Sequence, residues 1–210
     1  MPSPSDISDR SRLRRELRAA RRALSPAQQK VAAHALARRL AQLPALRRAT
    51  RIALYWPMDG EIDPRALRQL RHFSRHRFYL PVLQRFPAGT LRFAPWQAEG
   101  RRMLRNRFGI PEPRGRVQLT ARHMDAILLP LTGFDAQGNR LGMGGGFYDR
   151  TLAGLRHRHH PLLVGVSHAC QEVAALPLQP WDVPLALVVT DRHTFRCRPA
   201  CRAAPYPRQQ

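Results

Sequence analysis

The sequence predicts an α/β protein: a layered α/β/α sandwich with a mostly parallel central sheet and an N-terminal helical pair. Three observations carry that expectation. Short runs that are apolar throughout, the clearest being Asp125–Leu131, alternate with segments whose apolar residues recur at helical spacing. Two helix starts carry a polar cap followed at once by proline, Ser25-Pro26 and Asp63-Pro64. The chain has 210 residues, 43% of them apolar, enough for one domain with a real core.

Residues 1–9 carry no periodic signal and are expected to be disordered. From Arg10 onward, Leu13, Leu17, Ala20 and Leu24 recur at helical spacing, with arginines around the other face. Ser25-Pro26-Ala27-Gln28 reads as a capping box, with a hydroxyl cap, proline in the first turn and glutamine three residues on. It opens a second helix that runs to Leu43, where Pro44 ends it. Ile52–Trp56 is a short buried strand stopped by Pro57. Asp63-Pro64 opens a helix through Phe73, and Arg77–Val82 and Leu91–Phe93 read as strands. Residues 97–124 hold few periodic signals and read mostly as loop. Asp125–Leu131 has the continuous apolar character of a central parallel strand. A turn over Phe134–Asn139 then leads to a glycine-rich segment and a helix from Phe147 to Leu155. Leu162–Val166 is a strand, Gln171–Leu176 a short helix and Ala186–Val189 a late strand. One domain over 10–195 and a flexible basic tail over 196–210 complete the expected organisation.

The formal net charge is +22, and all but Lys30 of the 36 basic residues are arginine. Such a field attracts nucleotides, polyglutamyl chains and nucleic acid alike, so charge alone does not choose among anionic partners. No run of about 18 apolar residues is present, so no membrane helix is expected. The start MPSPSDISDR lacks the apolar stretch of a secretory signal, and a cytoplasmic location is expected. Three cysteines argue against a disulfide framework. Cys197 and Cys201, with only His193 nearby, do not complete a zinc set and read as free surface thiols in the tail.

The segment Arg140-Leu141-Gly142-Met143-Gly144-Gly145-Gly146-Phe147-Tyr148-Asp149-Arg150 follows the central strand. In open α/β sheets ligands bind beyond the carboxyl ends of strands. Glycines let consecutive backbone N–H groups point into one concavity and cradle phosphate, and a following helix adds its positive end. Arg140 and Arg150 add charge, and Asp149 could hold a magnesium ion that bridges phosphate oxygens. The segment lacks the lysine and Ser/Thr of a GxxxxGK[ST] loop and the phase of GxGxxG. Its spacing therefore supports either an anion cradle or a turn that packs strand on helix.

The stretch DAILLPLTGFDAQGNRLGMGGGFYDR resembles the signature of the 5-formyltetrahydrofolate cyclo-ligases, also called 5,10-methenyltetrahydrofolate synthetases. Further matches fall in the expected order: Arg10-x-x-Leu13-Arg14, Pro57-Met58-Asp59-Gly60-Glu61, Phe108-Gly109-Ile110-Pro111-Glu112-Pro113 and Trp181-Asp182-Val183-Pro184. The resemblance implies an enzyme that uses ATP and Mg2+ to convert 5-formyltetrahydrofolate, with or without a polyglutamate tail, to 5,10-methenyltetrahydrofolate, ADP and phosphate. The formyl oxygen attacks the γ-phosphate, the neighbouring linker nitrogen closes the ring, and phosphate leaves. A monomer with no membrane and no specific nucleic-acid partner is expected.

The same resemblance implies site roles. Arg10, Arg14, Arg140, Gly142, Met143, Gly144, Gly145, Gly146, Phe147 and Tyr148 would bind ATP. Trp56, Glu61, Gly145, Gly146, Phe147 and Tyr148 would bind the folate, with Arg140, Gly144 and Tyr148 the catalytic set. Asp149 and Asp182 would hold the metal. Two positions depart from the family pattern: Arg10 stands where lysine is frequent, which changes reach and geometry, and Ala186 stands where an acid is common. Trp56 reads equally as a pocket wall and as a core residue, and Tyr148 equally as a substrate contact and as an aromatic that packs helix on sheet. Two rival functions stay open: a basic nucleic-acid-binding protein, motivated by the arginine-rich helix Arg10–Arg22, and a folate- or nucleotide-binding relative without turnover.

Overall fold

The chain builds one seven-stranded sheet from segments spread across its length. The computed structural model describes residues 4–97, 103–115, 117–153, 155, 161–177, 179 and 185–197. Helices α1 (Pro4–Arg22), α2 (Pro26–Ala41) and α3 (Pro44–Arg48) come first. They are followed by strands β1 (Arg51–Ala53), β2 (Arg77–Leu83) and β3 (Leu91–Pro95), and by the small hairpin β4 (Met103–Arg105) and β5 (Pro111–Pro113). Strand β6 (Ala126–Pro130) leads to a second hairpin, β7 (Gly133–Phe134) and β8 (Arg140–Leu141), and then to helix α4 (Phe147–Leu152). Strands β9 (Leu162–Val166), β10 (Leu187–Val189) and β11 (Thr194–Arg196) complete the order.

The sheet runs β11-β10-β9-β6-β1-β2-β3. The inner pairs β10–β9, β9–β6, β6–β1 and β1–β2 are parallel, and an antiparallel strand closes each edge. Strand β6 shows why its sequence is a continuous apolar run. Ala126 and Leu128 face a core shared with Leu36, Leu40, Leu46 and Phe73, whereas Ile127 and Leu129 face the opposite core with Phe93, Phe134 and Leu152. Both faces are covered, so the period of two disappears from the hydropathy. The chain moves from β1 outward to β2 and β3, then returns to the other side of β1 at β6. The carboxyl ends of β1 and β6 thus flank the point where strand order reverses, the usual crevice for ligands in such sheets.

The capping box at Ser25 is formed: its Oγ accepts from Gln28 N at 3.3 Å, and Gln28 Oε1 accepts from Ser25 N at 2.8 Å. The two N-terminal helices bury different faces. Helix α2 lies on the sheet, whereas Leu13 and Leu17 of α1 pack with Leu141, Val173 and Leu176 near the β7–β8 hairpin. A Cβ on Gly133 would lie 2.5 Å from Leu17 Cδ1, so glycine sets how closely α1 approaches. Asp135 ties that hairpin together, accepting from Gln137 N at 3.1 Å, Asn139 N at 3.0 Å and Leu176 N at 3.1 Å.

Several expectations need correction. Residues 4–9, expected to be disordered, are the first turns of α1. The segment after Asp63 is 3-10 helix, Pro64–Gln69 and Arg71–Phe73, because extended Leu70 (ψ 133°) interrupts it. The expected loop over 97–124 contains the β4–β5 hairpin and a 3-10 turn at Ala121–His123. Helix α4 stops at Leu152, and a 3-10 turn at Ala169–Gln171 replaces the helix expected over Gln171–Leu176. Strand β11 was not foreseen; it carries the ordered chain past the expected boundary at residue 195 and buries Cys197 rather than exposing it in a tail. Cys201 lies outside the described residues.

Candidate active site

A cavity of about 570 Å3 opens at the strand-order reversal. Its volume is in the range of a small-molecule site. Tyr55 and Trp56, just past β1, form one wall, and Leu129 and Pro130 of β6 lie beside them. Pro81 and Leu83 of β2 and Leu91 of β3 extend the apolar side. The β4–β5 hairpin contributes Asn106, Phe108, Ile110 and Glu112. Residues 142–149 face these groups, and Arg10 and Arg14 enter from α1. Every described residue expected at the site lines this cavity: Arg10, Arg14, Trp56, Glu61, Arg140, Gly142, Met143, Gly144, Gly145, Gly146, Phe147, Tyr148 and Asp149. Asp182 lies outside the described residues.

Glu61 reaches the cavity on a tight turn. Glu61 N donates to Met58 O at 2.9 Å, and the two central residues, Asp59 (φ 54°) and Gly60 (φ 75°), are both left-handed. Glycine adopts that conformation freely; aspartate does so at a cost of about 1 kcal/mol. Three arginines of α1 hold Asp59 in place. Arg18 Nε donates to Oδ2 at 2.8 Å, Arg21 Nη2 donates to Oδ2 at 3.0 Å, Arg21 Nε donates to the Asp59 carbonyl at 2.8 Å, and Arg22 pairs with Oδ1. Burial alone would raise the Asp59 pKa, but the hydrogen bonds from Arg18, Arg22 and Arg21 outweigh it and hold the carboxyl below its usual value.

Glu61 is set the other way. Burial pushes its carboxyl up to about 7, against the opposing pull of Arg21 and of the Met58 N–H, which donates to Oε2 at 3.1 Å. Tyr55, which is buried, and Tyr148, which is partly buried, both lie near the Glu61 charge and are held above the ordinary phenol value, first by removal from water. They are neutral hydroxyls at physiological pH, and Tyr55 donates to Ile62 O at 2.6 Å. Trp56 serves both roles left open by its sequence position. It lines the cavity and also packs edge-on against Trp96, with centroids 6.4 Å apart, under the Arg65 guanidinium.

The glycine-rich segment is braced from two sides. Arg14 Nε donates to Gly142 O at 3.0 Å on one side, while Arg10 is tied outside the segment, its Nη1 donating to Pro177 O at 2.6 Å. Arg150 Nε donates to Gly89 O at 3.1 Å and its Nη2 to Gly145 O at 2.5 Å, so Arg150 supports the segment from behind and does not line the cavity. Gly144 (φ 95°) and Gly146 (φ 63°) use the left-handed region, and Gly146 starts α4. That helix has only six residues, so its dipole adds little; the positive charge comes from Arg14, Arg10 and Arg140. Arg140 pairs with Asp149 inside the segment. Phe147 meets Phe108 of the β4–β5 hairpin edge-on, with centroids 5.7 Å apart.

Among the described residues no three His, Cys, Asp or Glu side chains gather as a ready-made metal cage. Asp149, partly exposed beside the glycine segment, is a single hard oxygen donor. That suits Mg2+, which keeps several waters and binds through one or two carboxylates plus phosphate oxygens. Sequence reasoning gave no role to Tyr55, Met58, Asp59, Asn106, Phe108 or Glu112, or to the buried Arg21. A signal for Arg21 was present: Arg10, Arg14, Leu17 and Arg21 recur at i, i+4, i+7 and i+11, one stripe of α1.

Comparison with known proteins identifies the family. A model of the 5-formyltetrahydrofolate cyclo-ligase family matches residues 6–191. The 5-formyltetrahydrofolate cyclo-ligase of Escherichia coli K12 is 40% identical over 176 residues, covering 83% of this chain and 96% of that protein. That of Haemophilus influenzae is 41% identical over 178 residues, covering 84% and 94%. The NMR structure of Aquifex aeolicus 5,10-methenyltetrahydrofolate synthetase superimposes with a TM-score of 0.77 at 28% identity, covering 94% of this chain and 96% of that one. The chain belongs to the 5-formyltetrahydrofolate cyclo-ligase family.

Proposed function

We propose that this protein converts 5-formyltetrahydrofolate to 5,10-methenyltetrahydrofolate with consumption of ATP. One observation supports the reading: one cavity joins the Glu61 turn after β1 to the glycine-rich segment after β6, so a folate held at the turn would face a nucleotide held at the glycines. The formyl oxygen of an amide is a poor leaving group until phosphorylated. It attacks the γ-phosphorus, ADP departs with the electron pair of the broken P–O bond, the linker nitrogen closes on the formyl carbon and releases its N–H proton to solvent, and phosphate leaves with the electron pair of the C–O bond. No protein nucleophile is required, so the chain contributes positioning and charge neutralisation.

In this reading Glu61 accepts hydrogen bonds from the amide and amino groups of the pterin, and Trp56 packs on its flat face. Arg14, Arg10 and Arg140 surround the phosphates, and the amides of Gly142, Gly144, Gly145 and Gly146 approach them closely because these residues carry no side chain. Tyr148, a neutral phenol, donates a hydrogen bond near the reacting oxygen. Asp149 would hold Mg2+, with Asp182 as a second candidate outside the described residues; the ion would neutralise charge on the phosphate oxygens. The proposal includes a monomer that acts in the cytosol, which sedimentation and fractionation test.

The arginine-rich helix that motivated a nucleic-acid-binding reading turns Arg10, Arg14 and Arg21 inward, which removes much of its basis. Purified protein, 5-formyltetrahydrofolate, ATP and Mg2+ should together produce the methenyl chromophore. Omitting any one of the three small molecules should abolish it, and product formed without ATP would overturn the proposal.

A further inference from the structure

We propose that Arg21 is a positioning residue for this reaction: it fixes the turn that presents Glu61 and sets a guanidinium charge against that carboxyl. The inference rests on the cyclo-ligase reading of the Glu61 site.

Three observations single out Arg21. Its side chain is wholly buried, at 0% exposure. Its guanidinium binds the turn twice, through the Asp59 carbonyl and the Asp59 carboxylate, and its Nη2 lies 3.7 Å from Met143 Sδ in the glycine segment. Arg21 therefore touches both halves of the site. Its remaining nitrogen, Nη1, is buried with no hydrogen-bond partner among the described residues, and it stands 3.8 Å from Glu61 Oε1.

A purely structural role explains this poorly. Arg18 and Arg22 already grip Asp59, from positions with 35% and 53% side-chain exposure where desolvation costs less. Burying a third guanidinium whose Nη1 finds no hydrogen-bond acceptor is unfavourable. The Nη1 position is accounted for by the charge it faces. A Glu61 carboxylate can accept two N–H groups from an amide–amino edge; a protonated carboxyl presents one donor of its own to those donors.

The other groups around Glu61 do not supply this charge as directly. On its own turn Asp59 is negative, and Asp63 is paired with Arg65. Tyr55 and Tyr148 are neutral. His168, behind the turn with Nε2 3.2 Å from Gly60 O, is kept on the neutral side first by burial. Arg18 is a further cation near Glu61, and its Nε is bound to Asp59.

The test is the pH dependence of folate KM and of kcat in wild type, Arg21→Met and Arg21→Lys. In wild type, folate KM should rise as pH falls through the region where Glu61 takes up a proton. Arg21→Met removes the charge, so this limb should move up by roughly one pH unit or more, with KM at pH 7 raised about tenfold and much of the loss recovered at pH 9. The KM for ATP and kcat at saturation should change less than about threefold. A limb that stays with wild type in Arg21→Met overturns the proposal. Should Arg21→Met fail to melt cooperatively, Arg21→Lys decides. It keeps the charge but cannot span Asp59 and Glu61 together, so folate KM should rise at least about threefold at both pH values; a wild-type folate KM overturns the inference. Wild-type protein without turnover would instead sink the cyclo-ligase reading itself.

Discussion

Arg140 on β8 and Asp149 on α4, nine residues apart, pair across the neck of the glycine-rich segment and close it into a loop. The pair neutralises Arg140 while the loop holds no phosphate. Asp149→Asn should therefore have two opposite effects. The Mg2+ concentration for half-maximal turnover should rise by about tenfold or more, while nucleotide binding measured without Mg2+ should hold or tighten because a negative charge beside Arg140 is removed. Calorimetric nucleotide titrations with and without Mg2+ check this. An unchanged Mg2+ dependence would count against Asp149 as the metal ligand.

Glu61 offers a trade between stability and binding. Its carboxyl titrates at about 7 in the fold against an ordinary 4.5, so the folded state holds a proton that the unfolded chain has lost between those values. Stability from this group is full below pH 4.5 and falls as pH rises toward 7. Glu61→Gln should be more stable than wild type at pH 7.5 by about 1–3 kcal/mol, and the gap should close at pH 4.5. The same variant should bind folate far more weakly. Urea melts at the two pH values, with a folate titration, test both halves.

Asp59 behaves in the reverse sense. Its carboxyl is held below the ordinary value, so its stabilisation is present above pH 3.8 and is lost as pH falls through the folded value. Asp59→Ala removes three arginine partners and leaves a Cβ residue at φ 54°; Asp59→Gly removes the same partners but relieves the backbone. The glycine variant should melt higher than the alanine variant, by about 1 kcal/mol in unfolding free energy. Equal stabilities would show that the left-handed conformation is not retained.

Gly142 separates packing from ligand contact. A Cβ built there meets nothing within 4 Å, and its φ is not in the left-handed region. Gly142→Ala should therefore leave the melting temperature within about 2 °C of wild type. If the backbone of this segment approaches phosphate, the added methyl group should still weaken ATP binding by about tenfold. Gly144→Ala, at φ 95°, should lower both stability and ATP binding, and so serves as the contrasting variant.

The central strands were legible because a segment buried on both faces needs apolar residues without interruption, as Ala126 to Leu129 show. The β4–β5 hairpin was not, since Pro111 and Pro113 argue against a strand. They are tolerated because they fall on alternate positions opposite Arg105 and Met103, with Glu112 between them opposite Leu104. Alternate residues of an antiparallel strand share the side of the ladder where no N–H is needed. The site-lining residues were legible through the long signature around the glycines. Arg21 was not: among so many arginines composition cannot say which turn inward, and the resemblance marked Arg10 and Arg140 but not the equally buried Arg21.

The grip of α1 on the glycine segment also orders events during synthesis. Arg14 and the carbonyl it binds are 128 positions apart, and Arg21 and Met143 are 122 apart. At ordinary elongation rates the helix leaves the ribosome roughly ten seconds before its partners exist. Nascent chains arrested upstream of Gly142 would carry an unshielded cationic stripe, and translation must run past the glycine-rich segment before the catalytic crevice can close.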